Sequence, residues 1–195
     1  MPADFISIQK HRLAAIALGG NAASQAGEPA ETIAAALGDI TRDIGPIVAA
    51  SRFFRTPAYP LGSGADFVNA VVLADTSLEP GEVLEALHRI EARHGRVRQV
   101  RWGARTLDLD LLAMGDRILP DTTTLRQWMD LPPARQAERA PDRLILPHPR
   151  LHDRAFVLIP MAEILPHWRH PATGRTVAEM VCALPVADKA AVRPL

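Results

Sequence analysis

Along this chain, short continuous apolar runs alternate with stretches in which apolar residues recur every three or four positions. Leu13–Leu18 is an unbroken apolar run stopped by Gly19 and Gly20, the pattern of a buried strand entering a tight turn. From about Pro29 to Asp43, Ile33, Leu37, Ile40 and Ile44 follow helical spacing until Gly45-Pro46 ends it. Ile47–Arg55 and Phe67–Ala74 are rich in β-branched and aromatic residues and predict two strands. The Pro- and Gly-rich stretch between them, Thr56–Asp66, is too long for a tight hairpin and is the kind of loop that carries function. Pro80 opens a second helix, with Val83, Leu84, Leu87 and Ile90 as its apolar stripe and Gly95 just past its end. Thr106–Ala113 alternates apolar and polar and closes at Met114-Gly115, which predicts another strand. Asp153–Leu165 predicts a final helix, followed by an Ala/Val-rich end.

The order βαββαβ predicts an α+β chain, a ferredoxin-like sandwich with its helices on one sheet face. Pro120–Asp142, where Pro and Thr dissolve the pattern, is expected to be an inserted loop with a helical turn in it, and the end of the chain a C-terminal helical extension. At 195 residues the whole chain, 1–195, fits one domain with a core over about 13–168. Composition narrows the classes further. A hydrophobic content of 48% with 23% charged residues is that of a packed globular protein, not a disordered one. Twenty-two basic and 22 acidic side chains cancel, which argues against a dedicated nucleic-acid or membrane-surface partner. No apolar run approaches the roughly 20 residues of a membrane span, and Leu13–Leu18 is too short for a secretory segment, so a cytoplasmic location is expected. A lone cysteine, Cys182, makes neither an internal disulfide nor a thiolate zinc site.

Two features carry chemistry. Asp108 and Asp110 stand at i and i+2 of a predicted strand, so both carboxylates project from one face, with Cβ atoms roughly 6–7 Å apart. Leu107, Leu109 and Leu111 turn to the other face. Two adjacent anions repel unless a cation binds them, and hard oxygen donors suit a divalent metal carrying a polyphosphate. A solvent-facing edge strand with two acidic residues is the plain alternative. The preceding segment then tips the balance: Arg89, Arg93, Arg96, Arg98, Arg101 and Arg105 face a single carboxylate, Glu91. Guanidinium forks bind phosphate oxygens in pairs. Arginine's general excess over lysine in this chain accounts for some of that density, and Trp102 is the only aromatic interleaved in it, too few for a nucleic-acid track. A P-loop, a G-x-G-x-x-G turn and a G-x-S-x-G elbow are all absent from the sequence. The seven histidines include pairs at His167/His170 and His148/His152, but neither pair has further ligands nearby, which argues against a histidine zinc site.

The segment Arg101-Trp-Gly-Ala-Arg-Thr-Leu-Asp-Leu-Asp110 closely resembles the R-W-G-P-R-T-L-D-L-D signature of the 6-hydroxymethyl-7,8-dihydropterin pyrophosphokinases of folate biosynthesis. Ala17-Leu-Gly-Gly-Asn21, Ser51-Arg-Phe-Phe-Arg-Thr-Pro57, Asp66-Phe-Val-Asn-Ala70 and Glu91 with Gly95-Arg-Val-Arg98 are similar to further family motifs in the same order. So is Pro147-His-Pro-Arg150 followed by Arg154-Ala-Phe-Val-Leu158. The resemblance runs from about Leu13 to Trp168. It implies an ATP-dependent enzyme that moves a pyrophosphoryl group onto the hydroxymethyl group of a reduced pterin and releases AMP. It further implies two Mg2+ ions on Asp108 and Asp110, and an arginine loop at Arg96, Arg98 and Arg101 closing over ATP, with Arg105 on phosphate. Glu91, Arg98, Arg105, His148 and Arg154 would serve the nucleotide. Phe67 and Phe156 would sandwich the pterin, with Asn69 at its edge and Thr56, Pro57 and Trp102 lining the site. The partners implied are these small molecules, with neither nucleic acid nor membrane. The chain departs from the pattern at Gly20, where serine is usual, and at Tyr59-Pro60. On the residues alone, a D-x-D nucleotidyltransferase and a catalytically silent ferredoxin-like regulatory module remain alternative readings.

Overall fold

The computed structural model of the chain describes residues 12–58, 64–96, 104–132, 135 and 141–195. Its centre is one antiparallel sheet of β1 (Leu13–Gly20), β2 (Ile47–Ala50), β3 (Phe54–Thr56), β4 (Phe67–Asp75), β5 (Asp108–Met114) and β6 (Arg193–Pro194). The order across it is β5-β1-β4-β3-β6, with β2 also pairing β4. β1 runs two residues beyond its apolar stretch, because Gly19 and Gly20 pair with Asn69 and Val68 of β4. The expected single strand Ile47–Arg55 is broken in two. At the break the Ser51 hydroxyl accepts from the Val71 amide at 3.0 Å, so a side chain takes a ladder position that backbone would otherwise fill.

Helices α1 (Pro29–Asp43) and α2 (Pro80–Arg93) fall where the periodicity places them. Each starts at a Pro preceded by a Glu that forms a reciprocal capping box with a second Glu, Glu28 with Glu31 and Glu79 with Glu82. Ile33, Ala36 and Ile40 of α1, with Val83, Leu87 and Ile90 of α2, pack on one sheet face against Ala14, Ile16, Leu18, Val72, Leu109 and Leu111. The opposite face is covered as well, contrary to the expectation of helices on one side. There Ala15, Val71, Leu73 and Leu112 meet α4 (Ala155–Ile164) and α5 (Val177–Ala183) through Leu158, Met161, Val177 and Met180. A final short helix α6 (Val186–Ala191) leads into β6. The reason lies in the strands: Val68 to Ala74 are almost all buried, so β4 has no polar face to give to water.

Two further expectations are corrected. The helix inside the inserted segment is longer than the single turn expected: α3 spans Thr122–Met129. Asp121 caps it, accepting from the amide and the hydroxyl of Thr124 at 2.8 Å each, and Leu125 is completely buried. The last predicted helix begins at Ala155 rather than Asp153, because Leu151–Asp153 form a separate 3-10 turn and Arg154 is extended. Among the described residues, no helix is long and apolar enough to cross a membrane.

The segment after α4 buries a titratable group. His170 is fully buried, its ring edge-on to Trp168, and its Nδ1 accepts from the Ala172 amide at 3.2 Å. Among the described residues its Nε2 has no hydrogen-bond partner, and desolvation pushes the imidazole down from 6.5 to about 4. The unfolded chain therefore binds a proton that the folded chain refuses. Stability from this residue is complete above about pH 6.5 and declines as pH falls toward 4. His170→Leu is expected to flatten the stability–pH curve in that window by up to about one proton, measured by urea unfolding at stepped pH.

Candidate active site

One transverse row of the sheet carries groups from both ends of the predicted chemistry. Asp108 of β5 pairs with Gly19 of β1, Gly19 with Asn69 of β4, and Asn69 with Phe54 of β3. Directly paired residues share a face, so Asp108 and Asn69 lie on the same side, two strand spacings or about 10 Å apart. Asp110 and Phe67 stand on that face too, each two residues along its strand. It is the face that α4 covers.

β5 is the outer strand of this order, so its free edge must be satisfied. Two contacts do that. The Leu109 amide donates to Glu91 Oε1 at 2.8 Å, and the Leu112 carbonyl accepts from the His148 amide at 2.7 Å. Glu91 is only 2% exposed and also pairs with Arg96. Its carboxylate is thus engaged behind the strand, where the resemblance implies a nucleotide contact. Arg96 reaches on to Asp108 Oδ1 at 2.6 Å, while Arg105 holds Asp108 Oδ2. Both oxygens of Asp108 therefore carry a guanidinium.

Asp110 has a different environment. The Arg154 guanidinium lies 3.9 Å from its Oδ2. Burial alone would raise this carboxyl; His148, Arg154, Arg105 and Arg96 around it outweigh that and hold it below the ordinary carboxylate range. His148 is pushed down from 6.5 to about 4, first by desolvation and further by Arg154 and Arg150, against the pull of Asp110. Its Nδ1 accepts from the Arg150 amide at 3.1 Å. At neutral pH it is an uncharged ring with its proton on Nε2. Arg154 precedes α4, and its guanidinium carbon sits 5.7 Å from the centroid of the Phe156 ring, a cation–π contact that ties the charged groups to an aromatic one.

On the other side of Gly19, Asn69 is buried and donates from Nδ2 to the Thr56 hydroxyl at 2.8 Å. Its Oδ1 reaches to 3.0 Å from where a Cβ on Gly19 would be. Phe67 is half-buried, Phe156 is 39% exposed, and Pro57 is exposed, so neither ring is consumed by the core. The structure thus gathers Asp108, Asp110, Arg96, Arg105, His148 and Arg154 at one end of a face and Thr56, Asn69 and Phe67 at the other. Arg98, Arg101, Trp102 and Tyr59-Pro60 lie outside the described residues.

The residue that sequence reasoning passed over is Asn21. Its Oδ1 accepts from the Arg105 amide at 2.8 Å and its Nδ2 donates to the Ala65 carbonyl at 3.2 Å. Its own amide and that of Ala22 donate to the Arg105 carbonyl at 2.9 and 3.1 Å. An Asn directly after two glycines at a strand end was the available signal, since its side chain readily bonds nearby backbone there.

Comparison with known proteins places the chain in a family. A family model described as 7,8-dihydro-6-hydroxymethylpterin-pyrophosphokinase (HPPK) matches residues 15–166. A 2-amino-4-hydroxy-6-hydroxymethyldihydropteridine pyrophosphokinase of Pseudomonas aeruginosa is 40% identical over 173 residues, covering 87% of this chain and 90% of that protein. The protein of the same name from Synechocystis sp. is 40% identical over 116 residues, 60% of this chain and 49% of that protein. A crystal structure of Plasmodium falciparum HPPK-DHPS shares the fold, with a TM-score of 0.62 at 15% identity, over 87% of this chain and 44% of that one. The chain thus spans about half the length of the Synechocystis and Plasmodium proteins.

Gly20 is the departure whose cost can be read directly. A Cβ there would lie 2.6 Å from the Thr106 carbonyl oxygen, a backbone atom that must shift to admit it. Gly20→Ser and Gly20→Ala are both expected to destabilise this chain by about 1–3 kcal/mol, measured as a lowered urea midpoint. Equal losses in the two variants identify the Cβ, not the hydroxyl, as the cause.

Proposed function

The chain belongs to the 7,8-dihydro-6-hydroxymethylpterin-pyrophosphokinase family, and from that membership we propose that it transfers the pyrophosphoryl group of ATP to 6-hydroxymethyl-7,8-dihydropterin. The hydroxymethyl oxygen attacks the β-phosphorus, its bond to the α–β bridging oxygen breaks, and AMP leaves with that oxygen; the hydroxyl proton is released. The observation that carries this reading is the shared row of the sheet, with an acidic and cationic cluster at Asp108 and an amide at Asn69 on one face. A polyphosphate and a flat polar heterocycle can therefore sit side by side, with the acceptor hydroxyl directed at the phosphate. Holding the two in line supplies much of the rate, and charge neutralisation supplies most of the rest. The antiparallel order β5-β1-β4-β3, with α1 and α2 on one face, supports a ferredoxin-like core for this single domain.

Asp108 and Asp110 fit Mg2+ by donor type: two hard carboxylates on one face, one of them kept ionised by surrounding cations. Among the described residues no third carboxylate, His or Cys joins them, so phosphate oxygens and water would complete the coordination of the two ions we propose. When bound, Mg2+ would neutralise the phosphate oxygens and polarise the phosphorus under attack. Arg96 and Arg105, with Arg98 and Arg101, would take phosphate oxygens. Arg154 and neutral His148 would hold the nucleotide side, His148 donating from Nε2. Glu91 would act behind them, fixing Arg96 and the β5 edge. Phe67 and Phe156 would stack on the pterin, Asn69 would bond its edge, and Thr56, Pro57 and Trp102 would close its pocket, the Thr56 hydroxyl fixing the Asn69 amide.

The reading is tested by AMP release from ATP and Mg2+ that depends on added 6-hydroxymethyl-7,8-dihydropterin. Pyrophosphate release would identify a nucleotidyltransferase instead, and binding without turnover a silent module. Asp110→Asn is expected to lower kcat by roughly a hundredfold or more with the thermal midpoint little changed; near-normal turnover with Mg2+ would remove Asp110 from the metal site. Phe67→Ala is expected to weaken pterin binding by about 1–3 kcal/mol, the scale of base–aromatic stacking. Affinity for a non-hydrolysable ATP analogue should stay as it was, both measured by calorimetry.

A further inference from the structure

Asn21 touches both halves of the proposed site with one carboxamide. Its acceptor end holds the amide of Arg105, 84 residues away, and its donor end the carbonyl of Ala65, 44 residues away. Arg105 leads into β5 and carries the guanidinium on Asp108. Ala65 stands two residues before Phe67, at the entry to β4. The glycines ahead of Asn21 complete the joint. Gly19 leaves room for the Asn69 Oδ1 on the pterin side, and Gly20 lets the Thr106 carbonyl approach on the phosphate side.

Asn21 is only half-buried, so water could serve either end in place of these bonds, and their net contribution to stability is small. What it does uniquely is set one loop against another. Serine has no second end, aspartate has no donor, and glutamine is one methylene too long for the same span. We propose that Asn21 is a positioning residue that couples the two substrates: ordering of the Arg105 segment by nucleotide orders the Ala65–Phe67 segment for pterin, and the reverse. This inference rests on the function proposed above. By linkage the effect is reciprocal, so each ligand raises the affinity of the other by the same factor.

The test is a double titration of the full chain by calorimetry. The probes are α,β-methylene-ATP with Mg2+, whose transferred bond cannot break, and 6-hydroxymethyl-7,8-dihydropterin, each alone and in the presence of the other. Wild type is expected to show a coupling factor of about 5 or more. In Asn21→Ala that factor should fall to nearly 1, while each affinity measured alone stays within about threefold and the thermal midpoint falls by a few degrees. Asn21→Asp keeps the acceptor end and loses the donor, so it should lose the coupling too; it also serves if the alanine variant fails to fold. An unchanged coupling factor in either variant, or no coupling in wild type, overturns the proposal. Failure of wild type to bind the pterin at all overturns the functional reading itself, and the coupling with it.

Discussion

A buried carboxylate at the edge of the sheet organises everything around it. Glu91 is almost wholly withdrawn from water, a position a charge holds only when its oxygens are fully engaged. Its Oε1 accepts from the outward-facing Leu109 amide of β5 and also pairs with Arg96. From that pair the rest follows in order. Arg96 is drawn to the edge of β5, Asp108 finds a guanidinium at each oxygen, and the strand keeps the register that sets Asp108 opposite Gly19. The core on the α1/α2 face fixes the other end of the same chain of contacts, because Ile90 anchors the last turn of α2 one residue before Glu91.

The two halves of the candidate site are built from different materials. The Asp108 side is ionic and depends on long arginines from loops and helix ends. The Asn69 side is neutral, with a buried amide held by the Thr56 hydroxyl on adjacent strands. Rigid strands suit the recognition of a flat ring edge, where a displaced hydrogen bond loses specificity. Arginine side chains suit charge that arrives and departs. Phe156 joins the two, lying under the Arg154 guanidinium while leaving part of its ring open.

How much of this was legible in the sequence depended on whether a local pattern carried it. α1 and α2 stand where period, capping and terminal glycines put them, because their stability comes from one amphipathic stripe each. Asp108 and Asp110 share a face for the simple reason that side chains alternate along a strand. The split between β2 and β3 was not readable, since it turns on the Ser51 hydroxyl meeting a Val71 amide 20 residues away. α3 was hidden by its Thr-rich first turn, which scores as loop until Asp121 is seen as its cap and Leu125 as a buried anchor. The covered second face was hidden because α4 is apolar nearly all round and shows no stripe. Asn21 was quoted as a letter in a motif; its importance lies in two partners that no local window contains.

The guanidinium groups on Asp108 give the resting chain a particular electrostatic economy. Both oxygens of that carboxylate are spoken for, so its charge is already countered from within the chain. A divalent cation binding Asp108 as proposed would compete with the arginines already on its oxygens. An arginine displaced there would be freed beside the polyphosphate of the proposed reaction. Loading would then trade one counterion for another rather than add charge.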